Sequence, residues 1–179
     1  ALIEEFSKWI CSYLFLRKNK NFDYLFDGIV YTTFVSLGFA TIENILYTIS
    51  GGIFTGLIRA ITTVPAHAFF GIASGYYFSL TKKNKISNQQ ELKTRHLFLS
   101  IFIPFILHGF YDFCLLTQNE ILFLVYILFV IALYCISINR VKKMMKMEER
   151  FVGGKKLYCS NCGMKVDTLY CPNCGKKMD

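Results

Sequence analysis

Residues 38–80 read GFATIENILYTISGGIFTGLIRAITTVPAHAFFGIASGYYFSL, a stretch whose formally charged residues are Glu43 and Arg59 alone. A helix needs about 20 apolar residues to cross a bilayer, so the stretch has length for parts of two passes with Gly51 and Gly52 as the break between them. Inside it lie Glu43, Asn44, Arg59 and His67. An ionisable group in hydrocarbon costs a few kcal/mol or more, so residues of this kind face a bundle interior or a watery cavity and pair with one another. Apolar helices that carry them point to a polar centre inside a membrane.

The pattern extends in both directions. Apolar windows cover residues 1–16, 24–50, 53–80, 96–117 and 120–139, with connections at 17–21, 51–52, 81–95 and 117–119. The reading is an all-α polytopic membrane bundle of about five transmembrane helices, residues 1–140. Composition agrees, with 54% hydrophobic and 17% aromatic residues, well above a soluble domain's share. The net charge of +8 sits in the connections. Arg17, Lys18, Lys20, Lys82, Lys83, Lys85, Lys93, Arg95, Arg140, Lys142, Lys143, Lys146 and Arg150 all fall on one side of a five-helix bundle, while 51–55 and 117–119 hold no Lys or Arg. The positive-inside rule makes the basic side cytoplasmic. Basic residues flanking apolar segments suit anionic headgroups, so membrane lipid is an expected partner and nucleic acid is not. No secretory signal is visible, and a chain that begins with Ala rather than Met is expected to lack upstream spans.

At a rise of about 1.5 Å per residue, Glu4, Glu5, Glu43, His67, His108 and Asp112 fall in the outer half of the hydrocarbon slab. Residues three or four apart share a helix face, which pairs Lys8 with Glu4 and Glu5, aligns Arg59 with Thr63 and His67, and sets Asp112 beside His108. Pro65 and Pro104 interrupt the ladder near the two histidines and are expected to bend their helices. Simpler roles compete. A lone intramembrane histidine serves packing as often as chemistry, Arg59 reads as a headgroup anchor, and Asn44 as helix glue. Gly52 with Gly56 and Gly71 with Gly75 read as packing pairs. No chemistry is assigned to Tyr31, Tyr47, Tyr76 or Tyr77, and Cys11, Cys114 and Cys135 read as small apolar packers.

Beyond the last window, a basic linker at 141–156 with Gly153-Gly154 leads to Cys159-Ser160-Asn161-Cys162 and Cys171-Pro172-Asn173-Cys174. Two CxxC knuckles, each followed by glycine, give four thiolates for one closed tetrahedral site, so residues 157–179 read as a zinc ribbon with Zn2+ in a structural role. On the reducing cytoplasmic side zinc prevails over disulfides, and the ribbon offers a docking unit for a cytoplasmic protein partner.

In chain order, Glu4-Glu5-Phe6-Ser7-Lys8 is an EExxK pattern, Phe39 to Asn44 an FxxxEN pattern, Pro65-Ala66-His67 adds a histidine, and His108 to Asp112 is an HxxxD pattern. Together they resemble the PrsW family of bacterial intramembrane proteases, distant relatives of the CAAX prenyl endopeptidases. The resemblance implies a glutamate-dependent endopeptidase in the plasma membrane that cuts membrane-tethered proteins such as anti-sigma factors. It implies Glu4 or Glu5 as base, with Glu43, His67 and His108 around the water and Asp112 orienting His108. It further implies metal-independent chemistry, although Glu43, His67 and His108 are themselves competent zinc ligands. The rival reading is a noncatalytic membrane sensor or scaffold recruiting partners through the ribbon. A transporter is weaker, because the inner halves of the last two windows carry little polarity.

Overall fold

The computed structural model describes residues 1–19, 21–117, 119–147, 157–166 and 171–176; Lys20, Arg150, the Gly153-Gly154 hinge and the rest of the linker from 148 onward lie outside them. Four helices come first: α1 (Leu2–Lys18), α2 (Leu25–Ile86), α3 (Gln90–Leu116) and α4 (Glu120–Lys146). Three of these, α2, α3 and α4, are long and apolar enough to cross a membrane. Large apolar side chains such as Phe54, Leu128 and Ile131 are exposed on their outer faces, as a hydrocarbon surround requires.

The 62 residues of α2 would reach about 90 Å if straight, three times the hydrocarbon thickness. They do not run straight. Gly52 has φ 84° and ψ 169°, backbone angles that favour glycine, and there the chain folds into an antiparallel hairpin. Cross-arm hydrogen bonds fix the register: Ser79 Oγ to the Leu25 carbonyl at 2.5 Å, Thr32 Oγ1 to the Gly71 carbonyl at 2.9 Å, Ser36 Oγ to the His67 carbonyl at 2.7 Å, and Asn44 Nδ2 to the Gly56 carbonyl at 3.2 Å. All four pairings centre near Gly52. Pro65 lies inside the second arm, yet Gly52 is the residue of α2 that leaves helical φ/ψ. The break falls within the glycine pair, where the sequence placed it.

Small residues let the arms approach. A Cβ at Gly75 would lie 2.4 Å from the Gly28 carbonyl oxygen and 2.6 Å from Ile29 Cα, and one at Gly71 would lie 2.8 Å from Thr33 Cα. These neighbours are backbone and cannot swing aside. Gly75→Ala is therefore expected to cost about 1–3 kcal/mol, the usual penalty of overpacking, read as a lower melting temperature of the detergent-solubilised protein. An unchanged melting temperature would mean the arms separate more easily than this contact implies.

The hairpin is the scaffold for the rest. Trp9 on α1 donates from Nε1 to Ser100 Oγ on α3 at 2.8 Å, and Leu16, Phe22 and Phe78 close a core beneath it. Ala66, Phe70, Tyr111 and Leu133 form a second core, which α4 reaches through Tyr126 Oη donating to Tyr111 Oη at 3.1 Å.

The ribbon segment has its own small ladder, β1 (Leu157–Tyr158) antiparallel to β2 (Lys165–Val166). Each CxxC knuckle closes through a backbone bond, Gly163 N to the Cys159 carbonyl and Gly175 N to the Cys171 carbonyl, both 2.8 Å. Both glycines have φ near 70°, which explains a glycine after each knuckle.

Candidate active site

Helix periodicity puts Glu4, Glu5 and Lys8 on one side of the first turns of α1, and the fold turns that side inward: Glu5 and Lys8 are each 5% exposed. Lys8 Nζ is 2.6 Å from Glu5 Oε1 and 2.7 Å from His67 Nδ1 on the second arm of α2. Glu5 Oε1 also meets His108 Nδ1 of α3 at 2.8 Å. One buried carboxylate oxygen thus holds both a lysine and a histidine, and one lysine ties α1 to the hairpin. An isolated buried charge would be costly, but this arrangement pairs each ion and gives it hydrogen bonds.

His67 and His108 have ring centroids 5.1 Å apart, edge to face, and Phe70 stacks on His108 at 4.9 Å. His108 Nε2 lies 3.5 Å from Asp112 Oδ1 one turn on and 3.8 Å from Glu4 Oε2. His67 Nε2 lies 3.1 Å from Glu43 Oε2, but out of line for a hydrogen bond. Glu43 Oε1 receives the Arg59 guanidinium at 3.0 Å, and that guanidinium stacks 3.7 Å from the centre of the Tyr47 ring.

The fold therefore brings Glu4, Glu5, Glu43, His67, His108 and Asp112 into one continuous polar cluster drawn from α1, both arms of α2 and α3. It adds one side chain that was expected elsewhere and gives another a second partner. Arg59, expected at the headgroups, turns inward onto Glu43. Lys8, expected to neutralise a neighbouring carboxylate, does so and also reaches His67. Phe70, as a wall against His108, and Ser36, which anchors the His67 carbonyl, carried no sequence signal beyond their helical spacing.

Four buried atoms of the cluster lack a hydrogen-bond partner: Glu4 Oε2, Glu43 Oε2, His67 Nε2 and Arg59 Nε. Unpaired buried polar atoms are uncommon and require an explanation such as a water, an ion or a substrate group. Ligand atoms of Glu4, His67 and His108 lie within 4.8 Å of one another. Two imidazoles and a carboxylate are the three-protein-ligand set of many catalytic zinc sites. Lys8 donates to His67 Nδ1, which puts the ring proton on Nε2, so the residue types suit a metal ion and His67 would ligate one only on losing that proton.

The second cluster lies in the ribbon. Cys159 and Cys174 have Sγ atoms 3.4 Å apart, as do Cys162 and Cys171, and suitable atoms of all four come within 4.8 Å of one another. The thiols are free. The Lys176 backbone N–H, with help from the Asn161 side chain and Cys159, pulls the Cys174 thiol down to about 6, whereas burial pushes Cys171 up to about 11. Cys174 is thus a thiolate near neutrality, the form that binds metals.

A bundle of apolar helices around a buried carboxylate and histidine cluster defines an integral membrane protein with a polar centre among its membrane segments. Comparison with known proteins gives the class a family. Residues 1–137 match the PrsW family intramembrane metalloproteases. Protease PrsW of Geobacillus kaustophilus is 41% identical over 143 residues, 80% of this chain and 61% of the relative. Protease PrsW of Oceanobacillus iheyensis is 40% identical over 143 residues, 80% of this chain and 64% of the relative. Protease PrsW of Clostridioides difficile is 35% identical over 158 residues, 86% and 65% respectively. No solved structure matches. The chain belongs to the PrsW family of bacterial integral membrane proteins, and it spans a little under two thirds of the length of these relatives. The family's description as metalloproteases departs from the metal-independent chemistry expected from the motifs, and agrees with the donor set around Glu4.

Proposed function

We propose that this chain carries the hydrolytic centre of an intramembrane endopeptidase that cuts single-pass membrane proteins, anti-sigma factors among them, close to the extracytoplasmic face. One observation carries the reading: Glu4 Oε2, a buried acceptor with no hydrogen bond, lies beside two buried histidines in the midst of apolar helices.

The residues divide the work by their contacts. Glu5 is occupied by Lys8 and His108 and serves to hold them. Glu4, 31% exposed as a side chain, has a buried Oε2 that is free of hydrogen bonds, 4.0 Å from Lys8 Nζ and 3.8 Å from His108 Nε2, and this oxygen is the acceptor for a water. It takes a proton as the water oxygen attacks the peptide carbonyl, and returns it to the departing amine. His108, steadied by Asp112 and Glu5, and His67, gripped by Lys8, offer N–H groups where negative charge develops on the carbonyl oxygen. Arg59 fixes Glu43 next to His67 and so keeps that ring in place. In the metal-bound alternative, Glu4, His67 and His108 would hold the ion instead of acting as base and N–H donors, and the ion would supply Lewis acidity and a water acidic enough to deprotonate near neutral pH.

Counting the arms of α2 separately gives five helical segments in alternating directions, with the basic connections and the ribbon on the cytoplasmic side. His108 then lies about 12 Å from the external end of α3 and about 27 Å from its cytoplasmic end. In the ribbon, four thiolates around one Zn2+ at about 2.3 Å make a tetrahedron compatible with the observed sulfur spacing.

Placement of the centre near the external face predicts where a substrate is cut. A reconstituted single-pass substrate should release an external fragment and leave a stub joined to its cytoplasmic part. Mass-spectrometric mapping of the new termini checks this, and a cut on the cytoplasmic juxtamembrane side would refute either the orientation or the assignment of the centre. A scaffold in place of a peptidase would bind the substrate and leave it whole.

A further inference from the structure

Far from the polar cluster, the structure has a cavity of about 570 Å3 between the end of α1, the two ends of the α2 hairpin and the start of α3. Its walls include Tyr13, Leu16, Phe22, Phe78 and Leu97, and its rim carries Arg17, Lys82, Lys85 and Lys93. No carboxylate is among the described residues that line it. Lys82 is already engaged, donating to the Phe22 carbonyl and lying 3.9 Å from the Phe22 ring centre. Lys93 touches Gln90 Oε1 at 3.3 Å, a neutral partner that leaves its charge uncompensated, so the charge available to a ligand comes from Arg17, Lys85 and Lys93, supplied by three different helices.

Depth identifies the surroundings. From Glu5 to Arg17 along α1 is about 18 Å, and from His108 back to Lys93 along α3 about 22 Å, so the cavity sits at the opposite bilayer surface from the hydrolytic centre. A small apolar chamber with a cationic rim, placed at headgroup level, matches one kind of molecule. We propose that this cavity is a binding site for an anionic glycerophospholipid, with the phosphate head against Arg17, Lys85 and Lys93 and the upper acyl chain against Leu16, Phe22, Phe78 and Leu97. The size is within the usual range for small-molecule sites. Free phosphate would satisfy the rim and leave the aromatic and aliphatic walls bare, and a zwitterionic lipid would satisfy the walls while opposing the rim with its own cation. This site is independent of the proposed hydrolysis.

The chain contains a single tryptophan, Trp9, which stacks on Tyr13 at 5.2 Å and on Phe78 at 6.1 Å, both of them cavity residues. Its fluorescence reports occupancy. Purified full chain in neutral detergent is titrated with phosphatidylglycerol or phosphatidylcholine brominated in the upper acyl chain. Phosphatidylglycerol should reach half-maximal quenching at about tenfold lower mole fraction, and Arg17→Gln with Lys85→Gln and Lys93→Gln should abolish that difference. Lys142→Gln with Lys146→Gln, which removes charge elsewhere on the same side, should leave it intact. If the triple variant fails to insert, each single Gln variant should still weaken the preference about two- to fivefold. Equal quenching by the two lipids, or an unaltered preference in the Gln variants, overturns the proposal by reducing the cavity to ordinary annular lipid contact. Full relief of quenching by millimolar inorganic phosphate also overturns it, in favour of a soluble anion.

Discussion

Glu4→Gln lowers the initial rate of cleavage of a reconstituted single-pass substrate by about 10²–10⁴-fold, the range a positioned general base contributes, and leaves the melting temperature of the solubilised protein nearly unchanged. The amide keeps the shape of the side chain, and Glu4 Oε2 has no hydrogen bond to lose. Glu5→Gln behaves differently. Its carboxylate oxygen receives Lys8 at 2.6 Å and His108 at 2.8 Å, and removing one member of a buried ion pair costs about 3–5 kcal/mol. This variant should lose stability and activity together. Cleavage rates and thermal denaturation of the two variants, measured side by side, separate a reacting carboxylate from a holding one. Wild-type cleavage by Glu4→Gln would remove Glu4 from the chemistry. A stable but inactive Glu5→Gln beside a destabilised Glu4→Gln would exchange the two roles.

Deleting residues 155–179 should remove one equivalent of tightly bound zinc and leave cleavage largely intact. The four cysteines that approach one another are Cys159, Cys162, Cys171 and Cys174, and a closed tetrathiolate site stabilises its own small module. Elemental analysis of full-length and shortened protein gives the stoichiometry. The shortened protein also isolates the second donor set. A metal at Glu4, His67 and His108 makes its cleavage sensitive to a chelator and restorable by added Zn2+, whereas chelator-resistant cleavage assigns hydrolysis to the carboxylates and histidines alone. No loss of zinc on deletion would exclude the ribbon as a zinc site.

The prolines, the arginine and the glycines show where periodicity stops being informative. The break expected at Gly51-Gly52 falls at Gly52, whose φ of 84° is a conformation most residues avoid, while Pro65 lies inside the second arm. Arg59 looked like an anchor because a long side chain can snorkel to the headgroups. A carboxylate on the neighbouring arm, Glu43, offers a nearer partner at 3.0 Å, and that proximity exists only after the hairpin closes. Gly71 and Gly75 had the spacing of packing residues, and their contacts with the first arm agree, yet the spacing could not name Gly28 and Ile29 as what they meet.

The amino-acid sequence by itself determined that the chain is helical and membrane-embedded, that polar groups sit within apolar helices, and that four cysteines share a knuckle pattern. These are properties of composition and of spacing along one helix or one turn, and they are set by bonds and neighbours three or four residues away. Which histidine nitrogen meets Lys8, which glutamate is held and which is open, and the inward turn of Arg59 were decided by the tertiary structure alone. Each depends on atoms up to 103 positions apart in the chain, as Glu5 and His108 are, brought within hydrogen-bond distance by the crossing of α1 and α3 over the α2 hairpin. A local pattern fixes the face a side chain occupies; the partner on that face is chosen by packing.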